Sequence, residues 1–267
     1  MKGISRRALA AELALAVAEG RLELAYQPKL SLDTGALVGV EALARWHHPR
    51  LGAIGPSQFI PAAEAHGAID LFTDWLLRTA FHQWCAWRDQ GLVTCLALNL
   101  SALSLRDLDF PDRLDLLCRS EGVPSDHVLL EITESATQKT ERLLDTLTRF
   151  RIKGFGLSLD DFGTGYSSLL QLRQLPYSEL KIDRCFVRDA AGARESRLIV
   201  EAIVHLAHGL GLAATAEGVE DEATLALLRR LGCDRAQGYF IAAPMAGVEL
   251  VPWWLARGES AGARRAA

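Results

Sequence analysis

Carboxylates and amides recur in this chain at or near the ends of short apolar runs. Glu41 lies inside LVGVEALARW, Asn99 near the end of TCLALNLS, and Glu131 in HVLLEIT. Asp160 and Asp161 close GLSLDD, Lys181 stands in ELKID, Glu217 follows AATA, and Gln237 lies in RAQGY. Strands buried on both faces read as continuous hydrophobic runs. A parallel barrel gathers whatever follows those strands onto one face, where barrel enzymes carry their chemistry. Carboxylates crowded at one mouth repel each other unless cations sit among them. The pattern points to a metal-dependent enzyme.

The densest local signal is Asp160-Asp161-Phe162-Gly163-Thr164-Gly165. Two adjacent carboxylates can face two cations, or one can bridge both, and oxygen ligands suit hard ions such as Mg²⁺ or Mn²⁺. The glycines let the loop bend tightly over the site. Each residue has a plainer reading when taken alone. Asp and Gly are common at any strand-to-turn junction, Asn99 can cap a helix, Glu131 can pair with an arginine, and Lys181 can be a structural salt bridge. What these readings leave unexplained is that all the residues fall at strand ends. His47-His48 and the pair His205/His208 are poor candidates for imidazole ligands beside so oxygen-rich a set. His47 and His48 are expected in the loop at the mouth.

The elements that must position these residues alternate along the chain. Leu22–Leu30 and Val38–Ala44 flank the turn residues Asp33-Thr34-Gly35 and read as a hairpin. Strands are then expected at Cys95–Leu100, Val128–Thr133, Phe155–Leu159, Glu179–Ile182, Ala213–Ala216 and Arg235–Tyr239. Between them, helical spacing runs through Ile69–Gln90, Leu108–Glu121, Glu141–Phe150, Ser167–Leu175, Glu195–Leu210 and Glu222–Leu231. Alternating strands and helices imply crossover units and a mostly parallel α/β sheet. The 267 residues fit one barrel, since eight βα units need about 250. Trp75, Trp84 and Trp87 on one helix, and Trp253-Trp254 near the end, read as packing or interface residues.

Composition narrows the class further. The formal net charge is -4 with basic residues scattered, so no polymeric nucleic acid is expected as a partner. No run reaches the roughly 18 apolar residues of a membrane span, and the amphipathic start MKGISRRALAAELALAVAEG is unlike a signal peptide. No membrane contact and a cytoplasmic setting are expected. The five cysteines (Cys85, Cys95, Cys118, Cys185, Cys233) are odd in number and dispersed, which fits reduced thiols.

The motifs also match a family. EALARWHHPRLGAIGPSQFIPAAE, beginning at Glu41, resembles the signature of the EAL-domain phosphodiesterases, which hydrolyse cyclic di-guanosine monophosphate (cyclic di-GMP). YQP (Tyr26 to Pro28), LNLS (Leu98 to Ser101), EITES (Glu131 to Ser135), DDFGTGYSS (Asp160 to Ser168), KID (Lys181 to Asp183), AEGVE (Ala216 to Glu220) and QGY (Gln237 to Tyr239) follow in the family's order. The likeness extends from about Leu22 to about Met245.

It implies a modified TIM-type (β/α)8 barrel whose first strand runs antiparallel. Residues 1–20 would form an N-terminal linker helix, 21–258 the barrel and 259–267 a flexible tail. By resemblance, Glu41, Asn99, Glu131 and Asp160 hold one divalent cation, and Asp161 and Glu217 a second, with Asp160 bridging. The two ions would be Mg²⁺ or Mn²⁺. Lys181 would position or help deprotonate the attacking water, with Gln237 beside it. Glu134 and Glu220 resemble loop anchors, and Gln27, Leu43, Arg45, Asp183 and Tyr239 resemble substrate contacts, Arg45 facing a phosphate. The reaction implied is hydrolysis to linear pGpG by two-metal activated water. A non-catalytic cyclic di-GMP receptor is the alternative, although such members lose ligands, the lysine or the DDFGTG loop, and all of these are present here. The resemblance further implies a homodimer. Ser5–Gly20 resembles the helix that joins such a domain to an attached sensor or GGDEF domain, neither of which lies within this chain. The sequence departs from the family pattern at Phe240-Ile241-Ala242-Ala243-Pro244, where many relatives carry Ser and a basic residue. A modest effect on substrate affinity is expected there.

Overall fold

The computed structural model describes residues 4–134, 143–163 and 169–258. Among the described residues ten strands lie in one sheet: β1 (Leu22–Ser31), β2 (Leu37–His48), β3 (Gly52–Ile54), β4 (Cys95–Asn99), β5 (Val128–Thr133), β6 (Gly156–Phe162), β7 (Glu179–Ile182), β8 (Ala213–Ala216), β9 (Arg235–Ala236) and β10 (Met245–Ala246). Eight of them close a barrel in the order β1-β2-β4-β5-β6-β7-β8-β9 and back to β1. β1 is antiparallel to both β2 and β9, and every other barrel pairing is parallel. β3 and β10 extend from β2 and β1 outside the ring.

The antiparallel entry follows from the turn after Ser31. Gly35 takes φ 71°, a conformation that costs glycine nothing. Its N–H donates to Ser31 O at 2.9 Å, and Ser31 N donates back to Ala36 O at 2.9 Å. The chain therefore reverses at once, without a crossover helix. β1 and β2 then pair from Leu22↔Trp46 to Leu30↔Leu37, with a bulge at Lys29/Leu30.

Ten helices are described: α1 (Arg6–Ala18), α2 (Pro56–Ala65), α3 (Ile69–Asp89), α4 (Phe110–Glu121), α5 (Leu143–Ile152), α6 (Leu169–Gln174), α7 (Arg184–Val187), α8 (Arg194–Gly209), α9 (Glu222–Arg230) and α10 (Gly247–Ala256). Apolar residues at helical spacing bury one face of each long one. In α3 these are Ile69, Phe72, Leu76, Leu77, Ala80, Phe81, Trp84 and Trp87. Trp87 stands edge-on to Tyr26 of β1 at 4.7 Å and donates its ring N–H to Gly247 O at 2.7 Å. Trp84 donates to Thr94 O at 2.8 Å. Both indoles thus pin α3 to the barrel while their polar atoms stay satisfied.

Several elements differ from the sequence expectation. The last barrel strand stops at Ala236, because Gln237, Gly238 and Tyr239 turn out of the ladder into the mouth. β3, β10 and α2 were not anticipated; two strands are too short to show a period, and α2 carries Pro at both Pro56 and Pro61. His47 and His48 lie within β2 instead of a loop, opposite Ala53 and Gly52. α1 is docked on the barrel: Leu9, Ala10, Leu13 and Ala16 are buried, and its Glu12 pairs with His48 and Arg50. All five thiols are free. No described helix is long and apolar enough to cross a membrane. The expected tail 259–267, the start of the expected helix Glu141–Phe150 and the segment Thr164–Ser168 lie outside the described residues.

Candidate active site

At the barrel mouth a single ammonium group sits among four carboxylates. Lys181 Nζ lies 2.5 Å from Glu217 Oε1, 2.9 Å from Glu131 Oε2, 3.2 Å from Asp160 Oδ1 and 3.6 Å from Glu41 Oε2. β2, β5, β6, β7 and the residue following β8 each contribute one member. Asn99, at the end of β4, donates its Nδ2 to Glu41 Oε1 at 2.7 Å. Gln237 Nε2 donates to the other oxygen of Glu41 at 2.6 Å and to Gln27 Oε1 at 3.0 Å. Residues from, or directly after, all eight barrel strands therefore meet in one small volume.

Asp160 and Asp161 raise a geometric difficulty, because successive residues of a strand point to opposite faces. A local irregularity resolves it. The β6–β7 register breaks between Leu159 and Phe162, and Asp161 takes φ 57°, alone among the described non-glycine residues in having positive φ. Asp tolerates this left-handed conformation better than most side chains. The kink brings Asp161 round, so that Asp160, Asp161 and Glu217 each offer an oxygen within 4.8 Å of the others.

Burial and mutual repulsion show in the proton affinities. Burial, with Asp160 and Asp183 nearby, pushes the Asp161 carboxyl up to about 6. Burial likewise raises Glu217 to about 8, although Lys181 opposes it. Glu131 is raised by burial and by Glu41. At Glu41 burial is outweighed by Lys181 and Lys29, which hold its carboxyl below the usual range. For Lys181, burial is overcome by Glu131, Glu217, Glu41 and Asp160, which keep its ammonium well above the ordinary value. Two lysines, Lys181 and Lys29, do not neutralise Glu41, Glu131, Asp160, Asp161 and Glu217, and divalent cations would. The donor set is all oxygen, which is what hard divalent ions take. The amide Oε1 of Gln237 is buried with no partner among the described residues, as expected of a group placed to meet a bound molecule or water. The residues fit the metals that the sequence implies.

The centre lies where two lobes of one cleft join. One, of about 500 Å³, is walled by Pro56, Ile60, Pro61, Phe72, Leu76 and Leu100. The other, of about 380 Å³, is walled by Gln27, Asp183, Arg184, Glu220, Gln237 and Tyr239. Glu41, Leu43, Asp160 and Asp161 belong to both.

The profile of the family described as the EAL domain matches residues 10–244. This chain belongs to the EAL-domain family. It is 39% identical over 241 residues to the cyclic di-GMP phosphodiesterase PA2567 of Pseudomonas aeruginosa, covering 90% of this chain and 41% of that protein. It is 44% identical over 243 residues to MucR of the same organism, a bifunctional diguanylate cyclase/cyclic di-GMP phosphodiesterase, covering 90% of this chain and 35% of that one. The chain thus spans well under half the length of either relative. Among solved structures, the PaMucR phosphodiesterase in complex with c-di-GMP superposes with TM-score 0.85 at 42% identity, covering 91% of this chain and 99% of that one.

Within this EAL domain the remaining singled-out residues separate by place. Leu43, Asp183, Glu220 and Tyr239 line the cleft, Tyr239 at its exposed lip. Asp183 also caps α7, accepting from Cys185 N at 2.8 Å, and Glu220 pairs with Arg188 at 3.3 Å. Glu134, buried after β5, accepts the Gly163 N–H at 3.0 Å, tying the end of β5 to the turn after β6. Arg45 stands outside both lobe walls and folds its guanidinium onto Ala44 O at 3.0 Å. His48 pairs with Glu12, and His208 with Asp234 at 2.9 Å, both away from the mouth.

Four residues beneath the mouth escaped the sequence reading: Lys29, Ser158, Glu179 and Arg235. Each stands two positions from a residue already named, namely Gln27, Asp160, Lys181 and Gln237. The strand period of two places both members of the first three pairs on one face, and Gln237 follows directly on the strand that carries Arg235. That period is the signal that could have found them.

Proposed function

We propose that this EAL domain hydrolyses cyclic di-GMP to linear pGpG. The observation that carries the reading is the Lys181 ammonium surrounded by Glu41, Glu131, Asp160 and Glu217 at the junction of two lobes. A cyclic dinucleotide has two purines on either side of a ring containing two phosphodiesters. It can lay a base toward each lobe and present one phosphorus at the carboxylates. PA2567 and MucR, named for action on this nucleotide, support the assignment.

Glu41, Asn99, Glu131 and Asp160 would hold one divalent cation and Asp160, Asp161 and Glu217 the other. Such a pair supplies activation of water and neutralises charge on the attacking and leaving oxygens. The chain's own groups do the rest. Lys181 donates hydrogen bonds into the space among the carboxylates and orients the water for in-line attack. Water oxygen bonds to phosphorus as one ribose 3′ oxygen leaves and takes a proton, so the ring opens once. Gln237 holds Glu41 through Nε2 and offers its unpartnered Oε1 to the water or the nucleotide. Gln27, Leu43, Asp183 and Tyr239 contact the substrate from the second lobe. Arg45 would have to leave Ala44 O to face a phosphate. Glu134 and Glu220 hold the loops in place.

The test is to incubate the purified domain with cyclic di-GMP in Mg²⁺, in Mn²⁺ and in a chelator, and to separate the products by chromatography. Metal-dependent appearance of pGpG is expected. Tight binding with no turnover in either metal would overturn the enzyme reading in favour of a receptor.

A further inference from the structure

Below the mouth, charge continues down the inside of the barrel. Glu131 is gripped from both sides: its Oε2 meets Lys181 Nζ at 2.9 Å, and its Oε1 meets Lys29 Nζ at 2.6 Å. Lys29 also lies 3.4 Å from Glu179 Oε1. Glu179 accepts from Ser158 Oγ at 3.0 Å, and its second oxygen pairs with Arg235. The side chains of Lys29, Glu131 and Glu179 are at most 2% exposed, whereas that of Arg235 is 35% exposed. Alternating charges thus run Arg235, Glu179, Lys29, Glu131, Lys181, from the solvent-touching flank of β9 to the proposed reaction centre.

We propose that Lys29, Glu179 and Arg235 are positioning residues, a buried ladder that fixes the Glu131 carboxylate, and through it Lys181, from beneath. The inference rests on the phosphodiesterase reading for its role, though not for its geometry. Buried ion pairs are poor sources of stability, since apolar residues of similar volume often serve as well or better. The interior of a barrel is ordinarily filled by such residues. A three-member ladder placed there is better explained by what it does to Glu131. A carboxylate held at one oxygen can swing about its χ angles. Held at both oxygens by cations from opposite strands, it has one plane and one rotamer. Each oxygen keeps a second lone pair, so a cation can still be accepted at the mouth. Groups that orient metal ligands in this way commonly change metal affinity or activity about 10- to 100-fold when removed.

The experiment compares the parent domain with Lys29→Met and Arg235→Met. Mn²⁺ binding is read by titration calorimetry, kcat and KM with cyclic di-GMP, and folding by thermal melting. Lys29→Met is expected to weaken Mn²⁺ binding about tenfold or more and to lower kcat by a similar factor, with KM little changed. Arg235→Met, one link further away, is expected to shift the same two quantities in the same direction by less. Loss of melting temperature with Mn²⁺ affinity and kcat both unchanged would overturn the proposal, since that is what a purely structural ladder predicts. If Lys29→Met fails to fold, Arg235→Met, altered where the side chain already reaches solvent, and Ser158→Ala decide the question by the same readouts. If the parent binds Mn²⁺ but does not hydrolyse the nucleotide, the functional reading fails alone, and the calorimetry still tests the ladder.

Discussion

Removing the Lys181 ammonium would leave Glu41, Glu131, Asp160 and Glu217 facing one another across a buried mouth. An unpaired buried charge is strongly destabilising, by about 3–5 kcal/mol, so Lys181→Met should affect more than turnover. The variant is expected to lose about a hundredfold or more in kcat and to melt earlier in chelator, with divalent ions restoring much of the melting temperature. Steady-state assays and melts with and without Mn²⁺ check both. Parental turnover would remove Lys181 from the mechanism. Glu41 differs, because it is one of four carboxylates sharing the Lys181 ammonium, which keeps Glu131, Asp160 and Glu217 as partners when Glu41 is removed. Glu41→Ala should abolish most hydrolysis by removing a ligand while the melting curve moves little. Near-parental activity in that variant would show the metal assignment to be wrong.

At the scale of elements, the site depends on how strands end. β9 stops at Ala236 so that Gln237 can turn inward, and this exit is held against the loop after β8 by Val219 N donating to Gln237 O at 3.1 Å. Gly238 sits directly against that loop: a Cβ there would lie 2.2 Å from both Val219 N and Val219 O. Backbone cannot yield as a flexible side chain would. Gly238→Ala should destabilise the domain by about 1–3 kcal/mol and push Gln237 away from Glu41, lowering kcat more than the loss of folded protein explains. Denaturant titration together with activity per folded molecule separates the two effects. The kink at Asp161 works at the same scale. Without the register break in β6, two adjacent carboxylates could not serve one centre.

For the molecule as a whole, the ladder inside the barrel couples stability to acid. Despite burial, Lys29, Arg235 and Lys181 hold the Glu179 carboxyl down to about 2, against 4.5 for the free group. A carboxyl depressed in the folded state stabilises fully above the unfolded value and loses that contribution as pH falls toward the folded one. The stability advantage of the parent over Glu179→Gln, expected near 3 kcal/mol, should therefore be complete above 4.5 and shrink as pH falls toward 2. Urea unfolding of both proteins at several pH values measures it. A gap that did not change with pH would mean that Glu179 is not ionised in the fold.

The alternation of apolar runs and helices, the hairpin at Gly35 and the recurrence of acidic residues along the apolar runs were all legible in the chain, although Glu41, Glu131 and Asp160 lie within their strands and of the four carboxylates around Lys181 only Glu217 follows one. Each is a local property: a period, a turn residue or a neighbour in sequence decides it. The names of the mouth residues, from Glu41 to Gln237, were legible for the same reason. What one strand's residues do to another's was not. Closure of the barrel through antiparallel β1 brings Gln27 and Lys29 within reach of Gln237, Glu131 and Glu179, which are more than 100 residues away along the chain. The left-handed turn at Asp161, the early end of β9 and the pairing of His48 with α1 likewise depend on neighbours that only folding supplies. Hydrogen bonds and Coulomb forces act through space, so sequence sets which charges exist, and tertiary structure sets which of them meet.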